Sequence, residues 1–68
     1  MFMGVTFCDN TGKELKGVIN TDCIKILCEN KDNPNTTMVT FKDDTPAGLI
    51  KGSYEENAKI LFGFNRKL

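Results

Sequence analysis

The stretch SYEENAKILFG, residues 53–63, carries the clearest local signal in the chain. Ser53, followed three residues later by Glu56, forms the capping-box pattern, in which each side chain bonds the backbone amide of the other residue. Gly63 is the residue type most often found just past the C-terminus of a helix. The stretch therefore predicts a helix over residues 54–62. An apolar stripe gives this helix a side on which to pack, formed by Tyr54, Ala58, Leu61 and Ile60.

Before the helix, apolar and polar residues alternate with the period of two that is typical of β-strands. Residues 3–19 predict a β-hairpin around the turn-rich tetrapeptide at residues 9–12. Gly17, inside the second strand of this hairpin, either weakens that strand or marks a β-bulge. Residues 20–22 favour a turn or a single helical turn, because their side chains can bond their own backbone.

The middle of the chain predicts a second hairpin. Residues 23–29 give the strongest strand signal, since β-branched residues suit a half-buried face. A polar loop over 30–37 leads to its partner strand over 38–43. Residues 47–51 allow a short fifth strand through Leu49 and Ile50, although Gly48 and Gly52 disfavour it. The alternation assigns three residues of the first of these strands to one face: Ile24, Ile26 and Cys28.

Together these signals predict an α+β fold, a small antiparallel β-sheet of four to five strands in two hairpins with one short C-terminal helix. A chain of 68 residues allows a single small domain, residues 1–68, with a thin hydrophobic core. One helix can cover only one face of such a sheet. Exposed apolar patches usually mediate association. The alternation places four apolar side chains on the uncovered face: Phe2, Cys8, Val18 and Leu27.

Charge and hydropathy exclude several classes of protein. Lysine and arginine total 9, aspartate and glutamate total 9, and the formal net charge is zero. Nucleic-acid binding is disfavoured, because a domain that binds phosphates usually carries clustered basic residues. No apolar run approaches the about 18 residues of a membrane span. The first residues also lack the basic and apolar regions of a signal peptide. We therefore expect a cytoplasmic protein without membrane contact.

The residue types that usually carry catalysis or bind metals are scarce. The chain has no histidine and three cysteines, whereas a structural zinc ion needs four ligands. Cys23 and Cys28 have the spacing of one ligand pair, but only Cys8 remains to extend it. The acidic doublet at residues 43–44 precedes Thr-Pro and is typical of a turn, and helix capping accounts for Ser53. We expect no enzyme activity, no catalytic residue, no metal site and no cofactor.

The C-terminus combines aromatic and basic residues. Phe62 and Phe64 precede the only basic cluster in the chain, Arg66 and Lys67. One interpretation is that the rings close the thin core, since small domains need every large apolar group. The other is a binding patch, because aromatic residues and arginine are enriched where proteins bind each other. These four residues are the candidate binding site in the sequence.

Three functions compete at this point. The leading hypothesis is a small non-enzymatic protein-binding module, an adaptor or inhibitor of a larger protein, of the kind common among phage and mobile-element (viral) products. Near-zero net charge permits self-association, for example as a homodimer. The first alternative is an oligomer that binds or sequesters a small ligand, with polar groups supplied by residues 30–37 and 43–45. The second alternative is a nucleic-acid-binding accessory protein.

Overall fold

The computed structural model of the protein describes residues 1–63. It contains a five-stranded antiparallel sheet and one C-terminal helix, so the predicted α+β fold is confirmed. A short 3₁₀ helix, Thr21–Cys23, joins the second strand to the third, as the turn signal indicated. The elements are β1 (Phe2–Cys8), β2 (Glu14–Asn20), β3 (Ile24–Glu29), β4 (Thr36–Phe41), β5 (Gly48–Lys51) and α1 (Tyr54–Phe62).

The helix α1 has the predicted bounds and the predicted caps. The Ser53 hydroxyl oxygen accepts from the Glu56 amide at 3.2 Å, and the Ser53 amide donates to the Glu56 carboxylate at 3.0 Å. Gly63 takes the left-handed conformation, with φ of 71°. Both ends of α1 are therefore fixed by local hydrogen bonding and local backbone geometry.

The first hairpin pairs β1 with β2 in an unbroken register, from Phe2 opposite Asn20 to Cys8 opposite Glu14. The alternative of a β-bulge at Gly17 is therefore wrong. A Cβ atom at Gly17 would lie 2.7 Å from Cε2 of Phe7, whose ring occupies that space. The glycine makes room for an aromatic ring on the neighbouring strand.

The second hairpin pairs β3 with β4, but β4 begins and ends two residues before the predicted strand over 38–43. Its start is set by the preceding turn, where the Thr36 amide donates to the Asn33 carbonyl at 3.0 Å. The Thr36 hydroxyl donates to the same carbonyl and accepts from the Asn30 side chain, each at 2.9 Å. At its end, the Asp43 carboxylate accepts from the Thr45 amide at 2.9 Å, so the acidic doublet lies in a turn.

A β-bulge in β3 corrects the predicted faces of this strand. Ile24 lies opposite Phe41 and Ile26 lies opposite Thr40, so the register shifts at Lys25. An extra residue reverses the alternation that follows it. Ile24 and Ile26 therefore do not share a face. Leu27 packs against the core instead of lying on the uncovered face.

The strand β5 joins the two hairpins, since the sheet order is β2-β1-β5-β4-β3. It pairs with β1 on one side and with β4 on the other. Ile50 in β5 is fully buried. The shortest strand therefore holds the centre of the sheet, although its two flanking glycines gave it the weakest strand signal.

The sheet is strongly coiled. Its edge strands β2 and β3 would be about 19 Å apart in a flat sheet, at four strand spacings. The connection Thr21–Cys23 that joins them spans at most about 14 Å. The two edges therefore curl toward each other, and Ile19 of β2 and Ile24 of β3 belong to one buried cluster. The other buried members of this cluster are Val39, Ile50 and Leu61 of α1.

We call the face that holds this cluster the inner face and the opposite one the outer face. The register places Cys8, Leu49, Met38 and Cys28 side by side on the outer face, across four neighbouring strands. Phe2 and Val18 also lie there by register and are 71% and 67% exposed, as their predicted position requires. Among residues 1–63, no helix is long and apolar enough to cross a membrane.

Candidate binding groove

The strand β1 has an edge with no neighbouring strand over part of its length. It pairs with β5 only at Phe7 and Cys8, because β5 ends at Lys51. Over residues 2–6 it pairs with β2 alone in the described part of the chain. Alternate residues of a strand direct their N–H and C=O groups to opposite sides. Residues 2–6 therefore present main-chain donors and acceptors on the side away from β2.

This free edge opens onto a groove of about 820 Å³ between β1 and α1. The helix packs mainly on β3 and β4 and so leaves the β1 side of the inner face uncovered. The volume lies within the range of about 300–1,000 Å³ that is usual for binding clefts. On the side of the sheet the groove is lined by Gly4, Val5, Thr6, Lys16, Gly17 and Lys51. On the side of α1 it is lined by Glu56, Asn57, Ile60 and Leu61. Gly52, between β5 and α1, and Asn35, just before β4, complete the lining.

The groove has an apolar part and a charged rim. Val5, Ile60 and Leu61 supply the apolar surface, and Ile60 is 61% exposed. The predicted packing stripe of α1 therefore holds for Leu61 but not for Ile60, which lines the groove instead of the core. Lys16 and Glu56 carry opposite charges on the rim.

Asn57 is the buried polar residue of the groove, and only 7% of the residue is exposed. Its amide nitrogen donates to the Thr37 hydroxyl at 2.9 Å and lies 3.2 Å from the main-chain carbonyls of Lys51 and Ser53. The Thr37 hydroxyl in turn donates to the Gly52 carbonyl at 2.8 Å. This network ties α1 to β4 and to the end of β5.

Gly52 shapes the end of the groove where β5 passes into α1. Its φ is 106°, a backbone conformation that residues other than glycine rarely adopt. A Cβ atom there would also lie 3.0 Å from the side-chain nitrogen of Asn57. Its amide donates to the Asn35 carbonyl at 2.7 Å. The turn therefore requires glycine both for its backbone and for the space beside Asn57.

Two of the charged groups that line the groove are occupied by other contacts. The amide and the hydroxyl of Ser53 bond the Glu56 carboxylate and lower the pKa of that carboxyl group. The Lys51 ammonium lies 3.3 Å from the Glu14 carboxylate, in an exposed ion pair that contributes little to stability. Main-chain groups, Asn57 and apolar side chains therefore dominate the chemistry of the groove.

The residues singled out in the sequence lie elsewhere. Phe62 is the last residue of α1 and 41% exposed, on a side of the helix that does not line the groove, beside Ile24, Leu27 and Tyr54. Phe64, Arg66 and Lys67 lie outside the described residues. Sequence reasoning missed Asn57. The signal for it was a polar residue in line with the apolar stripe, four residues after Ser53 and four before Leu61.

The three cysteines are free thiols. Cys23 and Cys28 are exposed, and Cys8 is half-buried. Cys23 lies in the 3₁₀ helix and not in the strand predicted over 23–29. Within residues 1–63, no three acidic, cysteine or histidine side chains come together as a metal site.

Comparisons with known protein families, with curated proteins and with solved structures find no match for this chain.

Proposed function

We propose that this chain is a small non-enzymatic protein-binding module that takes an extended segment of a partner protein into the groove as an additional strand beside β1. The observation that carries the proposal is the free edge of β1, which pairs with β5 at only two positions and lines the groove at residues 4–6. Strand addition is a common mode of peptide recognition, in which main-chain hydrogen bonds give affinity and side-chain pockets give specificity.

The occupant follows from the chemistry of the groove. A segment that continues the direction of β5 runs antiparallel to β1 and pairs with the unpaired main-chain groups there. Every second side chain of that segment then points to the inner face. There Val5, Ile60 and Leu61 offer apolar contact. A partner segment with apolar residues at alternate positions suits this surface, and binding it makes the module an adaptor or an inhibitor of the larger protein.

The first experiment selects peptides from a displayed random library and measures their affinity by calorimetry. Ile60→Glu places a charge in the groove and should weaken the selected peptide by about tenfold or more, as loss of a central interface contact does. Leu15→Glu is the matched control, because Leu15 is also an exposed aliphatic residue, at 71% against 61% for Ile60, but does not line the groove. Equal affinity for the two variants, or a library that yields no binder, would contradict the proposal.

Hydrogen exchange tests strand addition itself. Binding of the selected peptide should slow exchange at those amides of residues 2–6 that point away from β2, and should leave the amides paired with β2 unchanged. Binding of the peptide without slower exchange along β1 would show that it binds in another way.

We propose the C-terminal residues as a second contact with the same partner. Phe62, Phe64, Arg66 and Lys67 combine ring faces with positive charge, a composition enriched at protein interfaces. Phe64→Ala and Arg66→Ala should each reduce capture of a partner protein that contains the sequence of the selected peptide. If both variants bind that partner as tightly as the unchanged chain, the C-terminal contact is wrong while the groove proposal stands.

A further inference from the structure

The side-chain amide of Asn57 has one end bonded and one end free. Its nitrogen bonds Thr37, while among residues 1–63 no donor reaches its oxygen. The one fully buried side-chain polar atom without a partner in that range is the Thr40 hydroxyl oxygen. The Asn57 oxygen therefore keeps contact with solvent, although the residue is more than nine-tenths buried, and the space beside it is the groove.

The orientation of this amide is determined by its neighbours. The Thr37 hydroxyl donates its only hydrogen to the Gly52 carbonyl, so it can only accept from Asn57. The Lys51 and Ser53 carbonyls are acceptors as well. The nitrogen must therefore face these three oxygens, and the Asn57 oxygen must face away from them.

An added strand has hydrogen-bonding groups on both of its sides, and those that lose contact with water need a partner. β1 can serve only the side that faces it, and α1 forms the other wall of the groove. A main-chain N–H left without an acceptor there would oppose binding, because unpaired buried amides are costly. Asn57 is the buried residue of α1 with a free acceptor at this place, whereas the Glu56 carboxylate, which also lines the groove, belongs to an exposed residue.

We propose that the side-chain oxygen of Asn57 accepts a main-chain N–H of the bound segment, on the side of the segment that β1 does not reach. This inference rests on the proposed function and specifies its ligand. The segment is held at both edges, by β1 and by Asn57. At the residue whose N–H meets Asn57 the segment cannot carry proline, which has no N–H.

The experiment uses the peptide selected from the library, synthesised with a single ester in place of each amide in turn. Each ester removes one N–H. One ester, at an N–H that does not pair with β1, should weaken binding of the peptide to the unchanged protein by about tenfold. The same ester should leave binding to the Asn57→Ala variant unchanged. If every harmful ester weakens both proteins by the same factor, Asn57 accepts no main-chain N–H and the inference is wrong.

Two variants keep the experiment decisive. Asn57→Leu keeps the branched shape of the side chain but has no oxygen, so it replaces Asn57→Ala if the alanine variant fails to fold by circular dichroism, and the same ester should then leave its binding unchanged. Glu55→Ala, in the first turn of α1 but not lining the groove, should respond to every ester as the unchanged protein does. A library without any binder would overturn the proposed function together with this inference. A binder whose ester losses are independent of Asn57 would overturn this inference alone.

Discussion

Gly17 and Phe7 show how one residue without a side chain can order a neighbour. They lie diagonally across the first hairpin, and the ring of Phe7 fills the space above Gly17 on the inner face. A glycine in a strand normally weakens it, because it loses more conformational freedom on folding and packs nothing. Here the ring of Phe7 covers the glycine and offsets part of that cost.

Gly17→Ala is expected to lower the free energy of unfolding by about 1–2 kcal/mol, the range typical of an overpacked site. The new Cβ would lie 2.7 Å from Phe7, so the ring has to move. Gly4→Ala in the neighbouring strand is the control, because its Cβ would meet nothing within 4 Å. Urea unfolding of the two variants should separate them clearly. Equal stability would show that the ring of Phe7 moves freely.

The capping box predicts a pH dependence at the level of one carboxyl group. The Ser53 amide and hydroxyl hold the pKa of Glu56 below its ordinary value of 4.5 in the folded protein. The unfolded chain therefore binds the proton first as pH falls, and the stabilisation is complete above 4.5 and lost below it. Glu56→Gln should have a lower urea midpoint than the unchanged protein at pH 7 and an equal one in strong acid. A difference that stays constant with pH would contradict this account.

At the scale of single elements, the bulge in β3 decides which residues reach the core. Strict alternation would place Ile24 and Ile26 on the same face of β3. Because of the extra residue at Lys25, Ile24 and Leu27 share the inner face instead. Ile26 is 49% exposed as a result. Nothing in the residue types distinguishes the two arrangements, because both place large apolar residues on each face.

Leu27→Ala should lower the free energy of unfolding by about 2 kcal/mol, since it removes a side chain packed on the core. Ile26→Ala should cost about 0.5 kcal/mol, as changes at exposed positions usually do. Chemical denaturation of both variants measures the difference. Without the bulge the order of the two effects would be reversed.

At the scale of the whole molecule, the coiled sheet allows one short helix to complete the core. Leu61 of α1 joins the cluster that includes Ile19 on one edge strand and Ile24 on the other. A helix of 9 residues is too short to be stable alone, and this contact supplies the packing that it needs. The same placement leaves the β1 side free and so creates the groove.

Leu61→Ala should lower the free energy of unfolding by about 3 kcal/mol, which is a large part of the stability of so small a domain. Ile60→Ala, the adjacent residue on the groove side, should change it by about 0.5 kcal/mol or less. Thermal unfolding followed by circular dichroism compares them. Similar losses in the two variants would mean that α1 packs through another side.

The sequence predicted those parts of the fold that depend on neighbours along the chain. The helix over about residues 54–62 was predicted, because Ser53, Glu56 and Gly63 act on backbone groups within one turn of themselves. The first hairpin was predicted as well, since period-two alternation and turn residues are local signals, whereas the fifth strand was only one of two alternatives. The early start of β4 was missed, because hydrogen bonds around Thr36 in the preceding turn set it.

Only the tertiary structure decided the faces of β3, the strand order and the groove. The bulge at Lys25, the central place of β5 and the free edge of β1 arise from pairings between residues far apart in the chain. Asn57 was no candidate in the sequence, because its role depends on Thr37 and Gly52 meeting it in space. Local hydrogen bonds and side-chain alternation are encoded residue by residue. Which edge stays unpaired depends on how the whole sheet coils.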